Sequence, residues 1–347
     1  MYKTLKVFLI LILLFTLSCA STKSSKAQFI GIDEKLISRD YQGALNQIEE
    51  AKENFYKKKE KALYYVDAGM LQHYNGNFSQ SNVLLSKAET AFDELYTKSI
   101  GRGVASMLLN DNVLEYSGED YEDVYLNVFK ALNYIELDEF DGAFVEIRKI
   151  NEKLSSLEQK HKKMAKQYNT SKDKNKDFET GTNKFHNSAL GRYLSMLLYR
   201  AEGKMDDARI DKEKIDEAWR LQSHIYNFDK PSLNNYLNKT NKAKINVISF
   251  TGRAPDKKAN TLYIHTEKDL VIIGTTKENP HGKQNLETLD LIPWNDMAKG
   301  YHFKFQLPFM KTRKSNIGRI ELIIDDNYSV DLQQIEDIEK VALETFK

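Results

Sequence analysis

The stretch of sequence that decides the fold is residues 68–88, which read AGMLQHYNGNFSQSNVLLSKA. A helical segment runs into a turn, and a bulky residue then opens a second segment that carries a small residue three positions later. The positions that define this second segment are Phe78, Ser81, Leu85 and Ala88. Steps of three and four residues predict one face of an α-helix. Because the bulky residue can cover the turn and the small one lets a neighbouring helix approach, the stretch predicts an antiparallel helix pair.

The same pattern occurs three more times along the chain. The other sets are Tyr41, Ala44, Ile48 and Ala51, then Phe140, Ala143, Ile147 and Ile150, and last Met205, Ala208, Lys212 and Ile215. The turn-prone pairs before the bulky residues are Arg39-Asp40, Gly76-Asn77, Asp138-Glu139 and Gly203-Lys204. The helical segments before the last three turns are Leu63–Tyr74, Tyr125–Leu137 and Leu190–Arg200. Since only a neighbouring pair can bury the apolar face of a helix pair, we predict an all-α array over residues 31–230.

These units resemble the tetratricopeptide repeat, most closely over residues 68–88. The resemblance implies stacked helix pairs with a concave groove for a partner protein or peptide. The bulky residues are 37, 62 and 65 positions apart, whereas that repeat has a period of about 34. We therefore expect extra or lengthened helices in the wider intervals, with residues 151–182 beginning as a charged helix and ending as an exposed loop. The polar Lys212 at a core position predicts that the last unit caps the stack.

The chain changes character near residue 230. All five prolines lie beyond it: Pro231, Pro255, Pro280, Pro293 and Pro308. Proline is excluded from helix interiors but is tolerated in turns and edge strands. The β-branched and aromatic runs in this part are Ile245–Phe250, Thr261–His265, Leu270–Ile273, Tyr301–Leu307 and Ile317–Ile324, and Val330–Phe346 has helical spacing. We therefore predict a multidomain chain in which residues 244–347 form a small β-rich (α+β) module that ends in a helix.

The first eighteen residues predict an export signal. Lys3 and Lys6 precede an apolar run, VFLILILLFTL at residues 7–17, and Cys19 follows closely. Eleven residues span about 16 Å as a helix, too short for a bilayer core of about 30 Å. The segment before Cys19 resembles the lipobox of bacterial lipoproteins, which implies that residues 1–18 are removed and that Cys19 is lipidated. The alternative is an ordinary signal peptide with an incidental cysteine.

Lipidation would place the protein in the cell envelope. Residues 19–30 would then hold the lipidated cysteine and a short flexible tether. The residue after the cysteine is Ala20 rather than aspartate, which by analogy with sorting in enteric bacteria predicts the outer membrane. The predicted partners are therefore the membrane, through the lipid anchor, and an envelope protein.

The most distinctive stretch of the sequence is an acidic, tyrosine-rich tract that leads into a predicted helix. It contains Tyr116-x-Gly118-x-x-Tyr121-Glu122, and the chain continues with ALNY at residues 131–134 and GRAP at residues 252–255. Here the sequence resembles a family of uncharacterised tetratricopeptide-like bacterial lipoproteins, over most of the chain after Cys19. The resemblance implies this domain organisation and a further segment beyond Lys347, and it implies no catalytic mechanism.

The acidic tract has two interpretations. The candidate partner-binding residues are Asn110, Asp111, Tyr116, Tyr121 and Tyr125, as the aromatic and polar part of a binding groove. Alternatively, the acidic residues favour the positive end of a helix, with Ser117 or Asp120 as its cap, and the tyrosines pack. The spacing does not fit a calcium-binding loop.

Several classes of chemistry have no signature in this sequence. With 51 basic and 50 acidic residues the net charge is +1, so no basic excess indicates nucleic acid. A single cysteine excludes a disulfide framework and a multi-cysteine zinc site. We find no phosphate loop, metalloprotease motif or nucleophile elbow, and the seven histidines are scattered, although strands would bring His265 and His302 together. We predict no catalytic residues, no metal and no cofactor.

Two functions from different classes lead, and a hydrolase is third, since it would need an acid, a base and a nucleophile that only the fold could bring together. The first is a non-enzymatic interaction scaffold, tethered to the membrane, whose helical groove binds a protein partner. The second is a peptidoglycan- or glycan-binding lipoprotein that uses the β-rich module, with Trp294, Tyr301 and Arg253 as contacts. The oligomeric state is open. The position of exposed apolar surface would discriminate the two, because such patches mark interaction sites.

Overall fold

A computed structural model describes residues 29–54, 56, 60–102, 115–170, 184–233, 235–238, 240–278, 284–325 and 327–346. The helices are α1 (Ile32–Ile37), α2 (Tyr41–Ala51), α3 (Lys61–Tyr74), α4 (Phe78–Arg102), α5 (Asp120–Glu136), α6 (Phe140–Asn169), α7 (Ala189–Ala201), α8 (Met205–Leu221) and α9 (Ile338–Thr345). The strands are β1 (Asp256–Glu267), β2 (Leu270–Glu278), β3 (Gln284–Pro293), β4 (His302–Lys311), β5 (Glu321–Ile324) and β6 (Tyr328–Asp331). The predicted order, helices and then a β-rich part, is confirmed, and the sheet of that part is antiparallel.

The bulky residue of each predicted unit is the first residue of a helix. Tyr41, Phe78, Phe140 and Met205 open α2, α4, α6 and α8. Helix α3 pairs with α4, α5 with α6, and α7 with α8, each pair being joined by a three-residue turn. The turns and pairings that the repeated pattern predicts are therefore present.

Four turns of the helical region share one backbone geometry. The residue two positions before each bulky residue has a positive φ: Arg39 (60°), Gly76 (78°), Asp138 (58°) and Gly203 (77°). The next backbone N–H donates to the carbonyl five residues earlier, as Asp40 does to Lys35 and Glu139 to Tyr134, both at 2.8 Å. This bond closes a helix end at the left-handed residue. The donor residue is then the N-cap of the following helix, as Asp40 is for α2 and Lys204 for α8. Glycine adopts this conformation without strain, whereas Arg39 and Asp138 do not.

The small residue of each unit is buried where two helices meet. Ala44, Ala143 and Ala208 are fully buried, and so is Ser81, whose hydroxyl donates to the Gly69 carbonyl at 2.8 Å. A Cβ atom added at Gly69 would lie 2.7 Å from the side chain of Leu85. The backbones of α3 and α4 are therefore too close for any larger residue at these positions.

The irregular spacing of the units comes from long second helices. Helix α4 has 25 residues and α6 has 30, which is the lengthening that the spacing predicts. The predicted exposed loop at the end of residues 151–182 lies mostly outside the described residues. Lys212 is only partly buried and pairs with Asp216 at 3.3 Å, so it lies at the rim of the core.

The β-rich region contains a four-stranded antiparallel sheet in the order β3-β2-β1-β4, and β5 pairs with β6 separately. Two sequence predictions are wrong. Residues Ile245–Phe250 form no strand, because Ile248 and Phe250 pack against the helical core. Residues 330–337 are not helical: β6 ends at Asp331, and α9 begins only after its cap, Asp337, which accepts from Lys340 N–H at 3.1 Å.

The final helix belongs with the helical region rather than with the sheet. Val341 and Ala342 of α9 are fully buried in the same hydrophobic cluster as α5 and α7. The carboxylate of Glu336, just before α9, accepts hydrogen bonds from Ser188 Oγ at 2.9 Å, Leu190 N–H at 3.0 Å and Tyr226 at 2.8 Å. The chain therefore leaves the helical body, forms the sheet and returns.

Candidate interaction surfaces

Three of the residues named as candidate sites lie outside the described residues. These are Cys19, the predicted lipidation site, and Asn110 and Asp111. Their roles stay predictions. None of the helices in the described part of the chain is both long and apolar enough to cross a bilayer.

The tyrosines of the acidic tract face inward. Tyr121 and Tyr125 are buried in the cluster of α5, α6 and α7, and Tyr116 packs edge-on against Phe92. The hydroxyl of Tyr125 donates to Glu336, and burial raises its pKa well above the usual value, so it remains a donor. A partner on the surface would therefore not reach Tyr121 or Tyr125, and the structure favours the packing interpretation of the tract.

The acidic residues of the tract begin helix α5. Glu119 is the N-cap, rather than the predicted Ser117 or Asp120, and its N–H donates to the Glu122 carboxylate at 2.8 Å. Tyr116 donates to the same carboxylate. Burial raises the pKa of Glu122. The reason that Glu119 is the cap is that Glu122, three positions on, can reach back to it.

A cluster of charged side chains joins α4, α5 and α6. Lys130 is 2% exposed, and its ammonium group lies 2.9 Å from Glu89 and 3.1 Å from Glu146. Lys153 bridges Glu89 at 2.9 Å and Asp123 at 2.6 Å. Burial alone would raise the pKa of Glu89, but the charge of Lys153 and the surrounding hydrogen bonds outweigh it and hold the pKa well below its usual range. Glu89 therefore stays ionised, and the ion pairs of the cluster connect α4, α5 and α6.

This cluster was not predicted from the sequence. Lys130 lies between Phe129 and Ala131 on a helix whose neighbouring positions are all buried. An interior lysine at such a position needs a carboxylate partner, and that requirement is the signal that could have identified it. The partners come from helices 41 positions earlier and 16 positions later in the chain, so their identity depends on the fold.

A cleft of about 460 Å³ lies beside the cluster, between α4, α6 and the segment before α5. Phe92, Tyr96, Lys153 and Lys160 are among its lining residues. Lys160 pairs with Asp120 at 2.6 Å, and Lys153 is held by Glu89 and Asp123. Because these lysines already have carboxylate partners, we assign the cleft no ligand.

The largest concentration of exposed apolar side chains in the described residues is on the sheet. Cross-strand partners share one side of a sheet, and the register pairs Phe305 with Leu262 and Phe303 with Ile264. One side of the sheet therefore carries the set that we call the apolar face: Tyr301, Phe303, Phe305, Leu307, Leu262, Ile264, Ile273 and Ile292. Phe303 is 56% exposed, Phe305 54% and Leu307 48%.

Exposed apolar residues of the helical region are scattered by comparison. They include Ile37, Val83, Val145, Ile210 and Leu221, which come from four different helices. Single exposed apolar residues are normal in soluble proteins, whereas a continuous patch marks an interaction site. By this criterion the sheet, rather than the helical groove, is the candidate docking surface.

The candidate glycan contacts occupy different surroundings. Trp294 and Tyr301 are exposed, and the ring of Tyr301 stacks on Phe303 with centroids 6.3 Å apart. Arg253 is partly buried and forms an ion pair with Asp33, which also pairs with Arg313 at 2.9 Å. Arg253 therefore helps to join the start of the helical region to the sheet region.

The predicted proximity of His265 and His302 is confirmed. They are cross-strand partners, their Nδ1 atoms lie 3.0 Å apart, and their rings stack with centroids 4.2 Å apart. They lie on the side of the sheet opposite the apolar face. The two Nδ1 atoms are hydrogen-bonded to each other, and His265 Nε2 lies 2.9 Å from the Glu267 carboxylate. Across the described ranges, no group of three or more metal-ligating side chains is arranged to hold a metal ion.

No protein-family model, curated protein or solved structure matches this chain.

Proposed function

We propose that the chain is a non-enzymatic interaction protein of the bacterial cell envelope, anchored to the outer membrane through a lipid on Cys19. The apolar run before Cys19 and the short polar tether after it support the anchor. In this proposal the helix pairs are a tetratricopeptide-like scaffold, which the fourfold repetition of one turn geometry supports.

The observation that carries the proposal is the exposed apolar face of the sheet. Phe303, Phe305 and Leu307 are each about half exposed, although leaving large apolar side chains in water is unfavourable. A partner that covers them would gain that free energy. The helical region contributes a rigid body that presents the sheet, and its buried Tyr121 and Tyr125 stabilise that body rather than contact the partner.

The anchor and the docking face are tested separately. Metabolic labelling with palmitate should mark the wild-type chain and not Cys19→Ala, which should also leave the membrane fraction. Absence of label on the wild type contradicts the anchor.

The docking face is tested by crosslinking in intact envelopes, followed by immunoprecipitation. The double variant Phe303→Lys/Phe305→Lys should lose the crosslinked species. The matched control Lys304→Glu, on the opposite side of the same strand, should keep it. Equal yields from all three proteins contradict a docking role for the apolar face.

Glycan binding is the second candidate, and the exposure of Trp294 and Tyr301 favours it. Aromatic platforms in glycan sites need polar partners, and the polar contact that the sequence predicts, Arg253, is already paired with Asp33. We expect the chain not to sediment with purified peptidoglycan. Sedimentation that Trp294→Ala abolishes, while the control Leu286→Ala keeps it, would favour the glycan function over the scaffold.

A further inference from the structure

We propose that the apolar face of the sheet binds the apolar face of a second copy of this chain, so that two sheets pack face to face in a symmetric dimer. This inference rests on the proposed function, because it names the partner of the same docking surface. A dimer with twofold symmetry is the commonest assembly of a soluble protein, and its interface uses the same patch on both copies.

The centre of the apolar face is suited to contact itself. An isologous interface brings a residue close to its own counterpart, so a charge at its centre would face a like charge. The half of the face formed by β1 and β4 carries Leu262, Ile264, Phe303 and Phe305 with no charged side chain among them. The charged side chains of this side of the sheet are at its borders: Glu287 and Asp290 are on β3, and Asp256, Lys258 and Lys311 are at the far end of β1 and β4. Two copies that overlap through β1 and β4 would therefore bury apolar atoms and leave the charges at the rim.

The area that the apolar face could bury reaches the lower end of the range for specific protein interfaces. Aromatic side chains present about 150–250 Å² each when fully exposed, and the three on this face are each just over half exposed. With the aliphatic members, each copy offers roughly 600 Å², and the pair about 1,200 Å², the lower end of specific interfaces. We therefore expect a dissociation constant on the order of micromolar rather than nanomolar.

The geometry favours contact through the face rather than through the free edge of the sheet. Strand β4 is an edge strand, and an unprotected edge can pair with another chain. However, β4 contains Pro308, which has no N–H to donate, and the exposed Lys304, and both residue types discourage edge pairing. The side chains of Tyr301, Phe303, Phe305 and Leu307 follow β4 and project from the face of the sheet, where they remain accessible.

The charges at the border argue against a membrane as the occupant of the face. Peripheral membrane surfaces combine apolar residues with a basic rim that attracts anionic lipid. The border of this face is mixed instead: Glu287 and Asp290 are on β3, and Lys258 at the end of β1 is paired with Asp256 at 3.2 Å. The acidic β3 border would repel an anionic bilayer, whereas a second copy can orient its own acidic border away.

Sedimentation equilibrium tests the proposal on the chain from residue 20 onward, which retains every described residue and carries no lipid. The wild type should change from monomer to dimer between about 1 and 200 μM. Phe303→Lys/Phe305→Lys should raise the dissociation constant at least about 100-fold, because interface aromatics carry most of the affinity. The control Lys304→Glu should leave it within about twofold. A wild type that stays monomeric throughout, or a dimer that the double variant does not weaken, overturns the proposal.

Crosslinking gives a second readout that does not rely on a disruptive variant. The chain from residue 20 onward has no cysteine, so Leu262→Cys introduces a single thiol near the centre of the apolar face. Packed sheets are about 10 Å apart, and a bismaleimide of about that length should join two copies of Leu262→Cys. It should not join two copies of Lys304→Cys, whose thiol is on the opposite side. Equal crosslinking of both variants overturns the face-to-face arrangement.

These experiments can show that the dimer is wrong while the docking role of the apolar face is right. If the wild type is monomeric while the double variant still loses its crosslinked species in envelopes, the dimer is wrong and the proposed function stands with a different protein partner. If a monomeric wild type binds phosphatidylcholine vesicles and the double variant does not, the occupant is a lipid surface and the dimer is overturned.

Discussion

The helical body and the sheet differ in how far their large apolar side chains are buried. In the helical body, Leu85, Ile150 and Leu194 are almost completely buried, and even Lys130 is enclosed with its two carboxylate partners. In the sheet, Phe303 and Phe305 keep more than half of their surface exposed. The helical body is therefore stabilised from within, whereas the sheet leaves apolar surface exposed, and this is the surface that we propose a partner covers.

The largest expected effect is in the charged cluster of the helical body. Lys130→Ala removes the buried ammonium group between Glu89 and Glu146 and leaves them bridged by the more exposed Lys149, at 3.2 and 3.3 Å. Breaking a buried ion pair costs about 3–5 kcal/mol. Urea unfolding followed by circular dichroism should show that loss. The triple variant Lys130→Met/Glu89→Gln/Glu146→Gln removes all three charges and should recover part of it. A loss below about 1 kcal/mol would show that the cluster is hydrated and that the two regions do not differ as described.

The next effect concerns the segment that connects the two regions. Glu336→Ala removes the acceptor for Tyr125, Ser188, Leu190 N–H and Tyr226, and leaving such buried donors unpaired costs about 2–3 kcal/mol. Hydrogen exchange should show that α9 becomes unprotected while α3 stays protected. The matched control Gln334→Ala, at an exposed position of the same segment, should leave α9 unchanged. Loss of protection in α3 as well would mean that the segment is part of one cooperative unit.

A pH effect is also expected in the helical body. Burial raises the pKa of Asp67, which accepts from Tyr56 at 2.7 Å, from its model-compound value of 3.8 to about 7. Since the folded state binds this proton more tightly than the unfolded state, the contribution to stability is complete below about pH 4 and is lost as the pH rises through 7. The free energy of unfolding should therefore fall between pH 4 and 7, and Asp67→Asn should flatten that slope. An unchanged slope in the variant assigns the pH dependence to other carboxylates.

The smallest effect on stability is expected in the sheet. Phe303→Ser removes a side chain that is 56% exposed, so a monomer should lose no more than about 1 kcal/mol. Thermal unfolding at low protein concentration measures this, with Lys304→Ser as the control on the opposite side. A loss that appears only at high concentration would show that the face is covered there by another copy. A large loss at every concentration would place Phe303 in a core and remove the contrast between the regions.

Local signals in the sequence predicted the helical body well. The start of each second helix, at residues such as Phe78 and Phe140, follows from a bulky residue after a turn-prone pair, because capping and turn chemistry act over a few residues. The long helices follow from spacing. Even the contact between His265 and His302 was predictable, because both lie on runs with strand character and their separation suits antiparallel neighbours.

Other features could not be predicted because they depend on contacts between distant residues. The extended segment Ile245–Phe250 has the composition of a strand, but Ile248 and Phe250 pack against the helical body and the segment pairs with no strand of the described residues. The tyrosines of the acidic tract were candidates for binding because sequence does not say on which side of α5 they lie relative to α6 and α7. Strands β3 and β6 were missed because their exposed positions mix polar and apolar residues, which weakens the alternation that signals a strand.

The sequence by itself determined the order of the two regions, the turns between helices and the candidate lipid site at Cys19, because each follows from local propensity or from a short motif. Only the tertiary structure decided that Glu336 holds α9 against the helical body and that Lys130 is enclosed by Glu89 and Glu146. It also decided that Tyr301, Phe303 and Phe305 form one uncovered face. These depend on which residues become neighbours and on which surfaces remain without one, and the packing of the whole chain sets both.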